Sequence, residues 1–377
     1  MKRIFIAGLF CALTIGVFAQ LPVLPYSTGN WDPDSLGNQR VVVEVARPAQ
    51  AVYCEIPWRR KDLHPETKEI LVYSEKGNHR IDNVIRVEIN REYGRLVFEP
   101  GEGAGRYFLY YLPYKSSGGN YPRVNYLKPV DRCDPSWKAN QKEFDRLPQA
   151  RVLEMQAISE FHSFYPMEVI ATEQETRRLV SKAGGGMILF PEYREYPIRM
   201  WNDLPYRWIQ RGLNNVLRDT VKRNEYYAFQ IGVLATRDTL RNLSVEFSDL
   251  RGPGGSVIPA EAMTCYNLGG NNWDQKPLVK RVDIVKGTIQ PMWVGVDVSS
   301  KLDPGVYRGK VEVVERGGRQ KGKVVVELYV LPEVVADRDD SKPQLHSRLR
   351  WLNSDIAVDD GIIPPYTPVR ANGHKLD

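Results

Sequence analysis

The first chemistry to test in a sequence with 46 Asp and Glu residues is a pair of carboxylates. Hydrolysis of a glycosidic bond needs two carboxyls set roughly 5–10 Å apart across the bond, one of them protonated near neutral pH. Adjacent acids occur at Asp339-Asp340 and Asp359-Asp360. Both lie in polar, turn-rich stretches with nothing nearby to raise a carboxyl pKa, so they read as solvated or capping groups. The histidines are His64, His79, His162, His346 and His374. None forms an i,i+4 pair or lies near a Cys at metal-ligand spacing, so neither a metal site nor a cofactor is expected. The Gly-rich stretch Pro100–Gly105 lacks Gly-Lys-Ser/Thr and leads into a strand, so it reads as a turn and not as a phosphate loop. No catalytic residue is expected in this chain.

Aromatic side chains offer a different chemistry. The C–H face of a sugar ring packs on an exposed π system. Tyr107, Phe108, Tyr110, Tyr111 and Tyr114 cluster on one strand and its exit, where alternation sends them to both sheet faces as packing residues. Trp201, Trp208 and Trp273 sit in less regular stretches. Trp273 follows Gly269-Gly-Asn-Asn272, and loop residues more often carry function. These three tryptophans are the candidate glycan-stacking residues.

The elements that must position them are mainly strands. Residues 40–45, 51–56, 68–73, 84–89, 94–99 and 106–112 are short, β-branched and aromatic runs bounded by turn residues, which predicts a first β-sandwich. Residues 226–234, 243–247, 280–285, 292–298, 306–314 and 323–330 repeat the pattern and predict a second. Between them, Leu153, Ala157 and Phe161 at i+4 steps predict a helix over 150–164. Thr172-Glu-Gln-Glu175 is a capping box opening a helix that ends at Gly184-Gly-Gly186, flanked by strand-like 167–171 and 187–190. The expected fold is thus mainly β: two Ig-like β-sandwich domains, at 20–146 and 216–333, joined by a small mixed α/β segment at 147–215. An irregular tail follows at 334–377. Its Asn372-Gly373 is a strong hairpin signal four residues before the last residue, which leads us to expect that the chain is the front part of something longer.

Met1-Lys2-Arg3, an uncharged run over 4–19 and Val17-Phe18-Ala19 follow the order of a secretory signal, with cleavage expected near Ala19-Gln20. The run is too short for the ~20 apolar residues of a spanning helix. Export, to periplasm or outside, and no membrane span after cleavage are expected. Cys54, Cys133 and Cys265 remain, and three buried thiols are expected, with a single bridge such as Cys54–Cys133 as the alternative. The 52 basic and 46 acidic residues are interspersed, without the basic stripe of a nucleic-acid binder. A monomer with glycan as its partner is expected.

Several stretches resemble one family. Pro291-Met-Trp-Val-Gly-Val-Asp297, Leu302-Asp-Pro-Gly-Val-Tyr-Arg-Gly-Lys-Val311, Phe247-Ser-Asp-Leu250 and Cys265-Tyr-Asn-Leu-Gly-Gly270 resemble the accessory β-sandwich that precedes the catalytic barrel in glycoside hydrolase family 123 and its relatives. Phe164–Ala171, Leu204–Trp208 and Ser347–Ser354 resemble large secreted proteins of gut-dwelling Bacteroidetes. The resemblance implies a (β/α)₈ barrel with an Asp-Glu dipeptide for substrate-assisted cleavage of N-acetylhexosaminides. This sequence has no Asp-Glu dipeptide. A barrel needs roughly 250 residues, more than follow the second strand set. The expected function is therefore a non-catalytic portion of an exported glycoside-hydrolase-like protein that supports a carbohydrate-active module. An independent carbohydrate- or protein-binding scaffold is the alternative.

Overall fold

The computed structural model describes residues 24–163, 165–271, 276–318, 320–339, 362 and 365–376. The segment read as a signal, Trp273, Asp359-Asp360 and the stretch Ser347–Ser354 lie outside the described residues. The chain divides into two compact units, Met1–Phe164 and Tyr165–Asp377, so the expected mixed segment at 147–215 is shared between them.

The first unit is a two-layer sandwich. Its larger sheet contains β1 (Tyr26–Thr28), β2 (Gln39–Val45), β4 (Leu71–Ser74), β5 (Arg80–Ile81), β8 (Gly105–Tyr110) and β11 (Arg151–Ala157), in the order β1-β11-β2-β8-β4-β5. Its smaller sheet is β3 (Val52–Ile56), β7 (Gly94–Phe98) and β6 (Val84–Ile89), in that order. Val41, Val43, Cys54, Ile56, Leu96, Phe98, Tyr107 and Leu109 fill the space between the two. The strands β9 (Tyr114–Ser117) and β10 (Arg123–Tyr126) form a separate hairpin. Trp58 lies over Gly94, where an added Cβ would come within 2.4 Å of the indole.

The helix expected over 150–164 is instead strand β11, followed by a single 3₁₀ turn at Glu160–His162. A β-bulge at Leu153 explains the misreading. Val152 pairs with Val43 and Glu154 with Val42, so of the three positions at i+4 steps Leu153 is the extra residue in the bulge, Ala157 is buried in β11, and Phe161 is exposed on the 3₁₀ turn. On the outer face of the larger sheet, Arg40 is buried with its guanidinium 3.6 Å from the Phe108 ring centroid and 4.4 Å from that of Trp31. Its Nε donates to Gln156 Oε1 at 2.8 Å and its Nη1 to the Tyr110 hydroxyl at 3.0 Å. The aromatic strand thus fills both faces, as its alternation requires.

The second unit repeats the layering. One sheet is β12 (Met187–Tyr193), β14 (Tyr226–Ala235), β21 (Ile289–Asp297) and β18 (Met263–Cys265), in that order. The other runs β13 (Val216–Arg223), β23 (Lys321–Val334), β22 (Gly305–Glu315), β16 (Leu250–Arg251) and β17 (Val257–Ile258), with β15 (Leu243–Phe247) also paired to β22. Leu217, Phe229, Ile231, Val294, Val311 and Val326 lie in the core between them. Residues 280–285 form no strand; only an isolated bridge joins Ile284 to Leu240. Likewise 167–171 is a 3₁₀ turn, Pro166–Glu168, and one bridge. The strands β19 (Gly269–Asn271) and β20 (Pro277–Val279) form a small ribbon. The Asn372-Gly373 signal does make a hairpin: Ala371–Asn372 pairs with Lys375–Leu376, so two residues suffice for the returning strand.

The capping box forms as written. Thr172 Oγ1 accepts from the Glu175 N–H at 3.2 Å, and Glu175 Oε2 accepts from the Thr172 N–H at 2.8 Å. It opens a helix over Glu173–Ala183, and Gly184 closes that helix at φ 67°. A second helix spans Tyr206–Arg211, and both pack on a separate apolar cluster over β12 and β14. One carboxylate holds this layer together. Glu192 on β12 is fully buried, and its Oε2 accepts from Trp208 Nε1 at 2.9 Å, Arg211 Nη1 at 2.9 Å and Arg207 Nε at 3.2 Å. Its Oε1 accepts from the Tyr193 N–H at 3.1 Å.

Two variants test these contacts. Glu192→Gln leaves two arginines facing a neutral amide and should cost about 2–4 kcal/mol in urea unfolding. In the first unit, Arg60 donates twice to Asp62 at 2.7 and 2.8 Å, and Lys68 donates at 2.6 Å. Burial pulls the Asp62 pKa upward, but the Arg60 and Lys68 bonds outweigh it and hold the carboxyl below its usual range. That stabilisation is complete above the unfolded-state pKa near ~3.9 and is lost as pH falls through the lower folded value. Asp62→Asn should therefore cost about 1–2 kcal/mol at pH 7, and the urea midpoints of variant and parent should converge as pH falls through the lowered Asp62 value.

Candidate functional site

Strand alternation places Tyr53 and Glu55 of β3, and Arg95 of β7, on the face of the smaller sheet opposite the core. Register then makes Glu55 and Arg95 direct cross-strand partners, with Glu88 of β6 opposite Arg95 on its other side. A bulge between Arg86 and Glu88 leaves Val87 as the extra residue at the same place. The guanidinium of Arg95 is thereby held between two carboxylates, with Nε donating to Glu55 Oε2 at 2.7 Å and Nη1 to Glu88 Oε2 at 2.9 Å. It also lies 4.3 Å from the Tyr93 ring centroid.

A segment of 135–146 packs over this face. Asp134 caps its short helix, Pro135–Ala139, by accepting from the Trp137 N–H at 2.8 Å. Trp137, Phe144 and Leu147 pack against Ala51, Tyr53 and Val97. The sheet and the overhanging 142–146 enclose an open groove of about 740 Å³, lined by Tyr53, Glu55, Val87, Arg95 and residues 142–146. Its size falls in the range of ordinary ligand sites.

The charges on its floor are fixed. Burial works against the Arg95 cation, but the hydrogen-bonded Glu55 carboxylate more than offsets this and pushes the guanidinium above its usual range. A hydrogen bond from the Tyr93 hydroxyl, 2.6 Å away, is the main reason that Glu88 lies below the usual carboxylate range, with Asn90 and Arg95 adding to it. Burial raises the Tyr53 phenol, and its neighbour Glu55 adds to that. Such a floor offers planar donors and acceptors beside aromatic rings. It suits binding of a polar ring.

Of the sequence candidates, Trp201 and Trp208 belong to the second unit, and Trp273 lies outside the described residues. Trp201 stands in a bend with 66% of its area exposed, and its carbonyl accepts from the Ile289 N–H at 2.7 Å. Trp208 is corrected: it is 1% exposed, stacked on Phe190 with ring centroids 4.2 Å apart, and lies over Gly232. A ring with no solvent face cannot stack on a sugar. The three cysteines among the described residues are free thiols, with Cys54 and Cys265 buried and Cys133 partly so. Burial pushes the Cys54 thiol up to about 12 and Cys265 up to about 11. Among the described residues no three His, Cys, Asp or Glu side chains gather as a metal site, and no helix is long and apolar enough to cross a membrane. Sequence reading missed the groove because its residues meet only through register. The available signal was the charged alternation of Glu55 and Arg95 within apolar strands.

Residues 29–158 match the family model described as the glycoside hydrolase 123, N-terminal domain. The match falls within the first unit, so the resembling stretches at 247–311 lie outside it. No curated protein matches the sequence. Among solved structures the chain is similar to a family 123 glycoside hydrolase from Clostridium perfringens that hydrolyses glycolipid glycans. Identity is 16% and the TM-score 0.30, over 40% of this chain and 28% of that enzyme, so the chain spans little more than a quarter of its length. It is also similar to MyfA, the major subunit of Myf fimbriae from Yersinia enterocolitica, at 11% identity and TM-score 0.21, over 29% of this chain and 86% of MyfA. A third likeness is to the CooA pilin subunit from enterotoxigenic Escherichia coli, at 12% identity and TM-score 0.21, over 39% of this chain and 99% of CooA.

The two described candidate tryptophans should separate cleanly on truncation. Trp208→Ala removes a packed ring and the Glu192 donor and should cost about 3–5 kcal/mol. Trp201→Ala should change stability by less than about 0.5 kcal/mol. Thermal and urea unfolding of the two variants checks both values.

Proposed function

We propose that this glycoside-hydrolase-related chain is a non-catalytic β-sandwich portion of an exported carbohydrate-active protein, and that it braces and orients a separate catalytic module in glycan breakdown. The match of residues 29–158 to the N-terminal domain of family 123 carries the reading. Export rests on the signal-like order of residues 1–19, with cleavage near Ala19-Gln20.

The second reading, an independent glycan-holding scaffold, draws on the exposed indole of Trp201, with Trp273 as its companion. The reading frame beyond the codon for Asp377 separates the two. An in-frame barrel favours the brace, and a stop followed by unrelated genes favours the scaffold. For either reading, purified 20–377 should release 4-methylumbelliferone from N-acetyl-β-galactosaminide and N-acetyl-β-glucosaminide conjugates no faster than buffer. Sustained turnover that scales with protein would overturn both.

A further inference from the structure

The groove on the outer face of β3, β7 and β6 is not needed to close the sandwich, whose core lies on the opposite face of those strands. We propose that it holds a segment of neutral glycan, taking the ligand class from the glycoside-hydrolase-related reading above. The floor is already set for such a ligand. Arg95 is fixed by Glu55 at 2.7 Å and Glu88 at 2.9 Å, so its plane costs no ordering on binding. Both bonds that Glu55 accepts end on Oε2, and Arg95 spends only Nε and Nη1. Among the described residues Glu55 Oε1 and Arg95 Nη2 take no part in these bonds, leaving an acceptor and a donor on the groove floor. A sugar hydroxyl both donates and accepts, so two neighbouring hydroxyls match such a pair.

The walls supply the apolar half of the recognition. Phe144 lines the groove and is partly exposed, giving the C–H face of a ring a π surface, while Tyr53 is buried beneath it as support. The ionic lining selects the charge of the ligand. Glu55, Glu143 and Asp145 balance Arg95, Lys142 and Arg146, so no excess field favours a polyanion. An acidic polysaccharide or a nucleic acid would meet three carboxylates there alongside the three cations.

Native affinity electrophoresis tests the assignment on the full chain, with galactomannan, mixed-linkage β-glucan or xyloglucan cast in the gel. Parallel gels carry polygalacturonate or duplex DNA. At least one neutral polymer should retard the parent, and Arg95→Met and Phe144→Ala should each weaken that retardation at least fivefold. Val285→Ala, at an exposed position in the second unit, should leave it unchanged. Thermal midpoints identify any variant that fails to fold. Should Arg95→Met fail, Phe144→Ala and the rim variant Lys142→Ala decide. No retardation by any neutral polymer, retardation that survives in the folded groove variants, or retardation by polygalacturonate or DNA alone would each overturn the proposal. Aryl-glycoside turnover is a separate readout, so failure here would leave the bracing role standing.

Discussion

Successive side chains on a strand point to opposite faces of its sheet, and this one constraint organises the molecule. In β3, Val52, Cys54 and Ile56 are spent on the core, which sends Tyr53 and Glu55 outward. In β7, Leu96 and Phe98 go inward and Arg95 goes out. The groove follows from pairing those two strands in register. In the second unit the same rule buries Tyr307, Val311 and Val313 of β22 and leaves Arg308, Lys310 and Glu312 on the outer face.

Where a strand lacks a Cβ, a ring takes its place. Trp58 covers Gly94 in the first unit, and Trp208 covers Gly232 in the second. Each indole then needs a partner for its N–H. Trp58 donates to the Asn90 carbonyl at 2.9 Å, and Trp208 donates to Glu192. The second case draws a carboxylate into an apolar layer, and Arg207 and Arg211 compensate its charge. One missing side chain on β14 thus accounts for a buried ionic network on β12 and the helix above it.

Local rules were legible in the sequence, and rules that need a partner were not. Thr172 and Glu175 announce a helix start because the two halves of the capping box lie three residues apart. Residues 84–89 and 243–247 announce strands by alternation, and their bounds are those observed. Residues 151–157 misled because the bulge at Leu153 breaks the period, while pairing with β2 overrides the helix-forming Leu, Glu, Met and Gln. Trp208 looked like a loop tryptophan because the residue that shelters it, Gly232, is twenty-four positions away. Glu55 and Arg95 are forty apart. Only the fold makes them neighbours.

The parallel pairings set a schedule for synthesis. β1 can pair with β11, and β13 with β23, only after each later strand has been made. An antiparallel hairpin closes as soon as it is translated, but these ladders must wait for more than a hundred residues to leave the ribosome. Until then the waiting strands stand as open edges, at risk of pairing with a stranger. If the chain crosses a membrane unfolded, that delay becomes useful, because neither sandwich can lock before its last strand has passed through.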